Sequence, residues 1–348
     1  MKEMDRRDFL KNVAIGGAVL GLGGAVFHKP LEALADGKHD IGQCKSVKIK
    51  CISELGWFDS KKLLKQIMSA PQKVKTNQWT VGWDPQNAAG SCTLIDVEQL
   101  DGTHHKILLD TGWNKYYMDQ AFKREGVDKM LKNKEIESLI ISHEHLDHYW
   151  GLQTTLQYDP EIKLIVPSTF YPEGFYFANG ATFMQSNASN DIPHQGELVK
   201  TKPGTVNQLY PGVGLVNFDI PILIRVRGEE SLYFNVKDVG MVLVTGCCHQ
   251  NIITMADYAI KNIKGGDNLY GVYGGLHIAP FGPMNPKRAF IVKEMGKYNF
   301  KKVACNHCTG LTAVKEMVKL GYPVVRGTAN FGSKSKLYVG NGDEVLFG

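Results

Sequence analysis

Short apolar runs alternate with turn residues and with longer amphipathic stretches along most of the chain. Residues 47–52, 91–97 and 106–110 carry the β-branched and aliphatic residues that favour strands, and the turn signal Asp101-Gly102 separates the last two. The run at 106–110 leads into Asp110-Thr111-Gly112, a tight turn with an acid at the strand end. We therefore predict a strand-rich region that begins near residue 47.

The same pattern predicts alternating strands and helices over the rest of the chain. Further strands are predicted at residues 138–141, 163–166, 213–218, 220–226, 232–236, 240–244 and 268–273, with a closing hairpin of residues 337–339 and 344–347 around Asn341-Gly342. Helices are predicted at residues 118–131, 152–157, 252–263, 285–298 and 311–320. Two strand-rich halves with helices outside each predict an α/β fold built as a four-layer αβ/βα sandwich.

Residues 168–200 interrupt this pattern. Aromatic residues lie there among glycine, asparagine and serine with no helical or strand period: Phe170, Tyr171, Phe175, Tyr176, Phe177 and Phe183. We predict a single domain over residues 36–348 with an aromatic-rich insertion at about 168–200. The insertion either covers a pocket, as specificity loops on a rigid scaffold do, or packs on the domain without contacting a ligand.

The bulk composition fits a soluble globular protein. Hydrophobic residues make up 43% of the 348 positions and charged residues 22%, which is enough apolar material for a sizeable core. The formal net charge of +5 is spread along the chain instead of gathering into basic runs. A nucleic-acid partner would call for a concentrated basic face with interleaved aromatics, so none is expected.

The first 35 residues have the pattern of an export signal. Arg6-Arg7 and the following Phe9-Leu10-Lys11 resemble a twin-arginine motif, and a glycine-weakened apolar run at 13–27 follows. The small-residue site Ala33-Leu34-Ala35 predicts cleavage after Ala35. We expect a periplasmic or otherwise extracytoplasmic protein, exported by the twin-arginine translocase, with no stable membrane anchor. An uncleaved N-terminal anchor is the alternative.

Cysteine usage is compatible with that compartment. The seven cysteines lie at positions 44, 51, 92, 247, 248, 305 and 308, and an odd count leaves at least one thiol free or paired between chains. Cys44 and Cys51 are close enough in sequence to form a disulfide in an oxidising compartment. Cys305-Asn306-His307-Cys308 has redox-like spacing but lacks the helix-start context of a thioredoxin site. Structural thiols beside a metal site are the preferred interpretation.

The strongest chemical signal is His143-Glu144-His145-Leu146-Asp147-His148, which follows the apolar run at 138–141. The two imidazoles of His143 and His145 are two positions apart and point the same way from an extended chain. Asp147 and His148 follow and can face a second position. Imidazole and carboxylate ligands suit Zn²⁺, and suit Fe or Mn less selectively. We predict a metal site.

Three further histidines follow short apolar strands. His249, His277 and His307 each come after an apolar run and one or two small residues, as a site at one sheet edge would require. A single histidine in such a place is more often structural, but three of them downstream of the cluster favour ligands. His104, His105 and His194 lack this context and are expected on the surface.

These motifs resemble those of a known family. The pattern His143-x-His145-x-Asp147-His148 is similar to the signature of the metallo-β-lactamase superfamily, and Asp110-Thr111-Gly112 resembles its first motif. The phrases at 245–249, 274–277 and 307–310 are similar to the branch of dihydropterin ribofuranosylaminobenzene phosphate synthase-like proteins. The resemblance covers roughly residues 47–347.

The resemblance implies a dinuclear site, with zinc the expected metal. Its first cation would be held by His143, His145 and His249, and its second by Asp147, His148 and His307. Asp110 would orient a ligand or the loop without binding metal. Many members have a bridging Asp where this chain has Gly274-Gly275-Leu276-His277, which leaves His277 as a ligand, a hydrogen-bond donor to substrate or a supporting residue.

The expected activity is hydrolysis of a small-molecule ester, amide, phosphoester or sulfoester by metal-bound hydroxide. Asp147 and His277 are the candidate catalytic residues, His277 as the proton donor to the leaving group. An iron-dependent oxidoreductase or dioxygenase is one alternative, because the same ligands hold iron. A non-catalytic periplasmic metal-binding protein is another. The synthase activity of the branch transfers poorly, because it belongs to metabolism inside cells and this chain carries an export signal.

Overall fold

A computed structural model describes residues 29–33, 37–54, 76–83 and 90–348 of the chain. Two seven-stranded sheets dominate it. Most of the predicted export signal, residues 1–28 and 34–35, lies outside the described residues. Within the described part, no helix combines the length and the apolar character that crossing a membrane requires.

The first sheet is antiparallel in one half and parallel in the other. In spatial order its strands are Glu344–Phe347, Ser46–Ser53, Cys92–Glu98, His104–Leu109, Ile136–Ile140, Lys163–Pro167 and Leu198–Thr201. The three pairings from Glu344–Phe347 to His104–Leu109 are antiparallel, and the remaining three are parallel.

The second sheet repeats this arrangement. Its strands in spatial order are Lys29–Pro30, Val206–Tyr210, Val213–Ile222, Val226–Val236, Gly240–Thr245, Leu269–Gly275 and Lys302–Asn306. The last three strands are parallel to one another and the others pair antiparallel. Each sheet therefore has a parallel half whose carboxyl ends form one edge.

Helices cover the outer face of each sheet. On the first sheet they are Lys115–Glu125, Val127–Lys132, Leu146–Tyr149, Leu152–Leu156 and Pro172–Ala178. On the second sheet they are Ile252–Asn262, Pro286–Met295 and Leu311–Lys319. Short 3₁₀ turns are found at Gln78–Thr80, Gly296–Tyr298 and His307–Thr309.

The core is divided into three layers by the two sheets. Alternate residues of a strand face opposite sides, so Leu108 packs under the helices of the first sheet while Leu109 packs between the sheets. The middle layer also contains Ile49, Val244 and Phe347. This helix, sheet, sheet, helix order confirms the predicted αβ/βα sandwich.

Several predicted elements were wrong in detail. The helix predicted at 118–131 is two helices, because Gly126 adopts a left-handed φ of 74° and caps the first. The strand predicted at 220–226 is the end of one strand and the start of the next. Ile224 and Arg225 make the turn between them at φ of 55° and 58°, without the glycine or asparagine that usually marks such a turn.

The chain's last strand also pairs differently from the prediction. Residues 337–339 form no strand, and Glu344–Phe347 pairs antiparallel with Ser46–Ser53 instead of folding back on its neighbour. The aromatic-rich stretch at 168–200 contains a helix, Pro172–Ala178, and a sheet strand, Leu198–Thr201. Phe170 and Phe177 are buried in the core of the first sheet, so this stretch is packed against the domain.

Candidate metal centre

The candidate site lies where the carboxyl ends of the parallel strands of both sheets meet. His143 to His148 follow strand Ile136–Ile140, and His249 and His307 follow Gly240–Thr245 and Lys302–Asn306. The side-chain amide of Gln78 fixes the first of these loops, donating to the carbonyl of Glu144 at 2.6 Å and accepting from the backbone N–H of Leu146 at 3.0 Å. All six predicted ligand residues come together there.

One group of donor atoms belongs to His143, His145 and His249, which we call the first triad. One donor atom from each lies within 4.8 Å of the others. The closest pair is His143 Nε2 and His145 Nδ1, at 2.9 Å. The other ring nitrogen of His145, Nε2, faces away from the triad and donates a hydrogen bond to the carbonyl oxygen of Leu223 at 3.0 Å. This hydrogen bond leaves a lone pair on Nδ1, directed at His143.

A second group, Asp147, His148 and His307, is called the second triad. His148 Nε2 and His307 Nε2 are 3.2 Å apart, and His307 Nε2 lies 3.4 Å from Asp147 Oδ2. The outer nitrogen of His307, Nδ1, donates to the carbonyl of Glu54 at 3.1 Å. The inner nitrogens therefore face one another and the carboxylate.

Asp110 joins the strand ends to the second triad. This fully buried carboxylate accepts from the backbone N–H and the hydroxyl of Ser142 at 2.7 and 2.8 Å, and from His148 Nδ1 at 2.6 Å. Its backbone has a φ of 64°. Asp110 thus fixes the ring of His148 and its tautomer through the nitrogen that faces away from the triad.

The two triads differ in electrostatic character. Burial, together with the neighbouring imidazoles, lowers the pKa of His143 and of His249 well below the usual value and that of His145 to about 3. Burial also lowers the pKa of His307, but Asp147 and Cys308 outweigh it and raise the value to about 9. The first triad is therefore a set of neutral ligands, and the second is an ion-paired group.

These residues fit a divalent cation. Four imidazoles direct one ring nitrogen inward, while a hydrogen-bond acceptor faces the other ring nitrogen and fixes the ring. Oδ2 of Asp147 is buried and forms no hydrogen bond within the described residues. Neutral imidazole with carboxylate is the ligand chemistry of zinc sites, with iron and manganese as less selective alternatives.

Comparison with known proteins gives a family match. Residues 87–211 match the model of the metallo-beta-lactamase superfamily. These residues therefore belong to a metallo-beta-lactamase superfamily domain. Members of this superfamily are mostly enzymes and in general metal-dependent hydrolases.

Two relatives illustrate the likeness of this metallo-beta-lactamase domain. The 7,8-dihydropterin-6-methyl-4-(beta-D-ribofuranosyl)-aminobenzene-5'-phosphate synthase of Methanocaldococcus jannaschii is 29% identical over 252 residues, which cover 64% of this chain and 82% of the relative. A solved metal-dependent hydrolase of the beta-lactamase superfamily superimposes with a TM-score of 0.54 at 16% identity, covering 86% of this chain and 98% of that one. At that identity the likeness concerns the fold alone.

Sequence reasoning missed one acid of the candidate site, Glu229. This carboxylate is fully buried, accepts from the backbone N–H groups of Cys247 and His249, and lies 3.4 Å from His249 Nδ1 and 3.8 Å from His143 Nδ1. Burial raises its pKa despite these donors. The sequence offered one clue, since Glu229 and Glu230 are adjacent acids inside the apolar strand Val226–Val236. Neighbouring residues of a strand face opposite sides, so one of the two must face inward.

Cys247 and Cys308 were also missed as members of the site. Cys247 Sγ lies 3.1 Å from His148 Nε2, and Cys308 donates weakly to the carbonyl of Cys247 at 3.5 Å. Burial and the neighbouring Cys308 raise the pKa of Cys247, whereas Cys247, His277 and His307 lower that of Cys308 against the effect of burial. A cysteine next to an apolar strand is hard to distinguish from core by its sequence position.

His277 lies beside the first triad without belonging to it. Its ring centroid is 4.4 Å from that of His249, and its backbone φ is 44°. The Nδ1 atom of His277 is buried and has no hydrogen-bond partner within the part of the chain that the structure describes. This atom is available to a ligand.

The remaining histidines named in the sequence lie apart from the centre. His104 pairs with Asp96 at 2.8 Å and His105 with Glu137 at 2.9 Å. Nε2 of His194 donates to the carbonyl of Ile162 at 2.6 Å, and the side chain is half-buried. His104 is on the surface as expected, and the other two are partly covered.

All seven cysteines are free and buried. The disulfide considered between Cys44 and Cys51 is absent, because the two thiols contact different parts of the second sheet. Cys44 Sγ donates to the carbonyl of Asn235, and Cys51 Sγ accepts from the side chain of Asn306.

A cavity opens beside the second triad. It has a volume of about 480 Å³ and reaches His307 and Asn306 from the start of helix Leu311–Lys319. Pro280, Lys334 and Tyr338 form other parts of its wall. A space of this size suits a small molecule.

Proposed function

We propose that this chain is an exported metal-dependent hydrolase that holds two Zn²⁺ ions and cleaves an ester, amide, phosphoester or sulfoester. The observation that carries the proposal is the adjacency of two buried donor triads at the edge where the parallel strands of both sheets end. The first triad would hold one cation and the second triad the other.

Two divalent cations, when bound, would lower the pKa of a coordinated water and polarise an oxygen of the substrate. The residues of the chain provide the rest of the reaction. Asp147 carries its charge at neutral pH, because His148 and His307 lower its pKa against the effect of burial. It therefore serves both as an anionic ligand and as an acceptor that orients the attacking group.

A proton must also reach the leaving group. His277 is the candidate donor, since its Nδ1 is unpaired and its ring lies beside His249 at the margin of the first triad. Substrate would enter through the cavity beside His307, which is large enough for a small molecule but not for a folded protein.

Export is inferred from two features of the first 35 residues. It rests on the paired arginines Arg6-Arg7 and the site Ala33-Leu34-Ala35. Twin-arginine substrates fold before they leave the cytoplasm, and the seven free, buried thiols are compatible with folding in that reducing compartment.

Metal analysis joined to a hydrolysis screen tests the proposal. The protein, purified without oxygen, is assayed for zinc, iron and manganese, then tested on generic phosphodiester, lactone, β-lactam and sulfate-ester substrates. We expect about two zinc ions per chain and cleavage of at least one class, abolished in Asp147→Ala. Stoichiometric iron with oxygen uptake would contradict a hydrolase, and a metal-free, inactive protein would favour a non-catalytic role.

A second candidate function follows from the likeness to the synthase of Methanocaldococcus jannaschii. The name of that enzyme describes a bond-forming reaction with a phosphorylated product. The same screen separates the two. Mass spectrometry that shows cleavage products, and no product heavier than the substrate, favours the hydrolase.

A further inference from the structure

The site has no carboxylate to bridge its two triads from the strand Leu269–Gly275. A Cβ added at Gly275 would lie 2.6 Å from Cys308 Sγ and 2.5 Å from the carbonyl oxygen of Gly246. A Cβ at Gly274 would lie 1.9 Å from the carbonyl oxygen of Thr245. Neither position accepts a side chain, so any atom that bridges the triads comes from elsewhere.

The sulfur of Cys247 lies near donor atoms of both triads. Its donor atom lies within 4.8 Å of those of His143 and His148, in another group of those of His249 and His277, and in a third of those of His307 and Cys308. Two members of the first triad and two of the second are therefore neighbours of one sulfur atom.

The local backbone explains how Cys247 reaches this place. Gly246 approaches the first sheet closely, since a Cβ there would lie 2.3 Å from Ser142 Oγ. The carboxylate of Glu229 then accepts from the N–H groups of Cys247 and His249. Cys248 between them has a φ of 57° and packs in the outer core of the second sheet. The chain thus turns two alternate side chains into the site and the middle one away.

Charge balance gives the sulfur a role. The six triad ligands carry one negative charge, that of Asp147, whereas two divalent cations would bring four positive charges into a buried place. Uncompensated charge is costly there. A bound cation deprotonates a thiol that coordinates it, so Cys247 would add a second anion there, and sulfur is among the preferred ligands of zinc.

We propose that Cys247 is a seventh metal ligand, whose thiolate is shared between the first and second triads in place of a bridging carboxylate. On binding, the thiol loses its proton to solvent as the metal–sulfur bond forms. This inference rests on the proposed function, because it requires that the two triads bind metal.

Cobalt substitution tests the inference without an activity assay. The full-length chain is depleted of metal and loaded with Co²⁺ alone, and the thiolate-to-cobalt charge-transfer band is recorded in the near ultraviolet with the bound cobalt per chain. We expect the band in the wild type and in Cys248→Ala, the matched control with a buried neighbouring thiol. It should vanish in Cys247→Ser while cobalt remains bound to the other ligands.

The outcomes are distinct. A wild type that binds cobalt without the band, or a Cys247→Ser protein that keeps it, overturns the inference, as does a band lost only in Cys308→Ser. A wild type that binds no cobalt contradicts the proposed function instead. X-ray absorption of the zinc-loaded wild type needs no variant: we expect a sulfur neighbour at about 2.3 Å, and its absence overturns the inference even if Cys247→Ser fails to fold.

Discussion

Asp110 shows how one side chain carries both local structure and ligand geometry. It closes the loop before His143 through Ser142 and also holds the ring of His148 from the side away from the triad. Such supporting carboxylates raise the basicity of a ligand histidine and fix its orientation. The consequence is a measurable loss of metal affinity when this carboxylate is removed.

We predict that Asp110→Asn lowers the affinity for Zn²⁺ by about 10–100-fold. The amide keeps the volume of the carboxylate, but its nitrogen is a donor. It therefore cannot accept all three hydrogen bonds that Asp110 receives from Ser142 and His148. Competition with a chromophoric chelator measures the change, and circular dichroism checks that the fold is retained. Asp96→Asn, which removes the partner of the surface residue His104, is the control and should leave the affinity unchanged.

His277→Ala should lower turnover by about 10²–10⁴-fold, the usual contribution of a general acid. Because His277 lies outside both triads, the metal content of the variant should equal that of the wild type. Turnover number and metal stoichiometry are measured on the same preparation, with His194→Ala as the control. Loss of metal from the variant would show that His277 is a ligand instead.

The buried carboxyl group of Glu230 should make the folding stability depend on pH. Burial raises its pKa well above the ordinary value, although Thr201 donates a hydrogen bond to it. The folded chain therefore keeps a proton that the unfolded chain has released above a pH of about 4.3. Folding stability at this site is full below that pH and falls as the pH rises toward the raised value.

Glu230→Gln removes this titration. We predict that its free energy of unfolding, relative to the wild type, increases between about pH 4 and pH 8. Urea unfolding at several pH values measures the difference. Glu197→Gln, an exposed carboxylate paired with Lys163, should show no such trend. A pH-independent difference would mean that Glu230 is ionised in the folded protein.

At the scale of elements, the site depends on strand ends that approach one another closely. The tight contacts at Gly246, Gly274 and Gly275 leave no room for a side chain. A glycine at a strand end is easily taken for a simple turn signal, so the sequence indicated a turn but not the crowding. The six ligand positions were easier, because each follows a strand whose apolar pattern is clear.

Gly275→Ala should therefore lower the free energy of unfolding by about 1–3 kcal/mol, the usual cost of overpacking. The added methyl meets Cys308 Sγ and the carbonyl of Gly246. Thermal and urea unfolding measure the loss. At Gly82 the nearest atom to an added Cβ is 3.5 Å away, so Gly82→Ala is the matched control and should have little effect.

Other contacts of the site left no trace in the sequence. The carbonyl oxygens of Glu54 and Leu223 orient His307 and His145, and a backbone acceptor has no residue preference. Gln78 holds the loop around Glu144 from a distant segment that carries no motif. Glu229 and Cys247 were inside or beside apolar strands, where the apolar pattern favours a purely structural interpretation.

At the scale of the whole molecule, the sandwich is held together by side chains between the two sheets. The sequence predicted two strand-rich halves with helices outside, which the structure confirms. It did not predict the pairing of Glu344–Phe347 with Ser46–Ser53, because a pairing across nearly the whole chain has no local signal. Phe347 is fully buried in the middle layer and packs on Gly271 of the second sheet.

We predict that Phe347→Ala lowers the free energy of unfolding by about 3–5 kcal/mol, the typical cost of removing a buried aromatic ring. Urea unfolding monitored by fluorescence measures the change. Leu346→Ala is the control, since that side chain is half-exposed on the opposite face of the same strand. Equal effects of the two substitutions would mean that this strand contributes little to the contact between the sheets.

The distribution of the triads along the chain has a consequence for synthesis. His143, His145 and His249 have all been translated before His307, the last member of the second triad, is added. At ribosomal rates of about 5–20 residues per second, the roughly 60 intervening residues take about 3–12 s. During that interval the nascent chain contains every residue of the first triad but still lacks His307 of the second triad. The two halves of the centre are therefore completed in a fixed order, and the chain's own translation sets the earliest moment at which both can be filled.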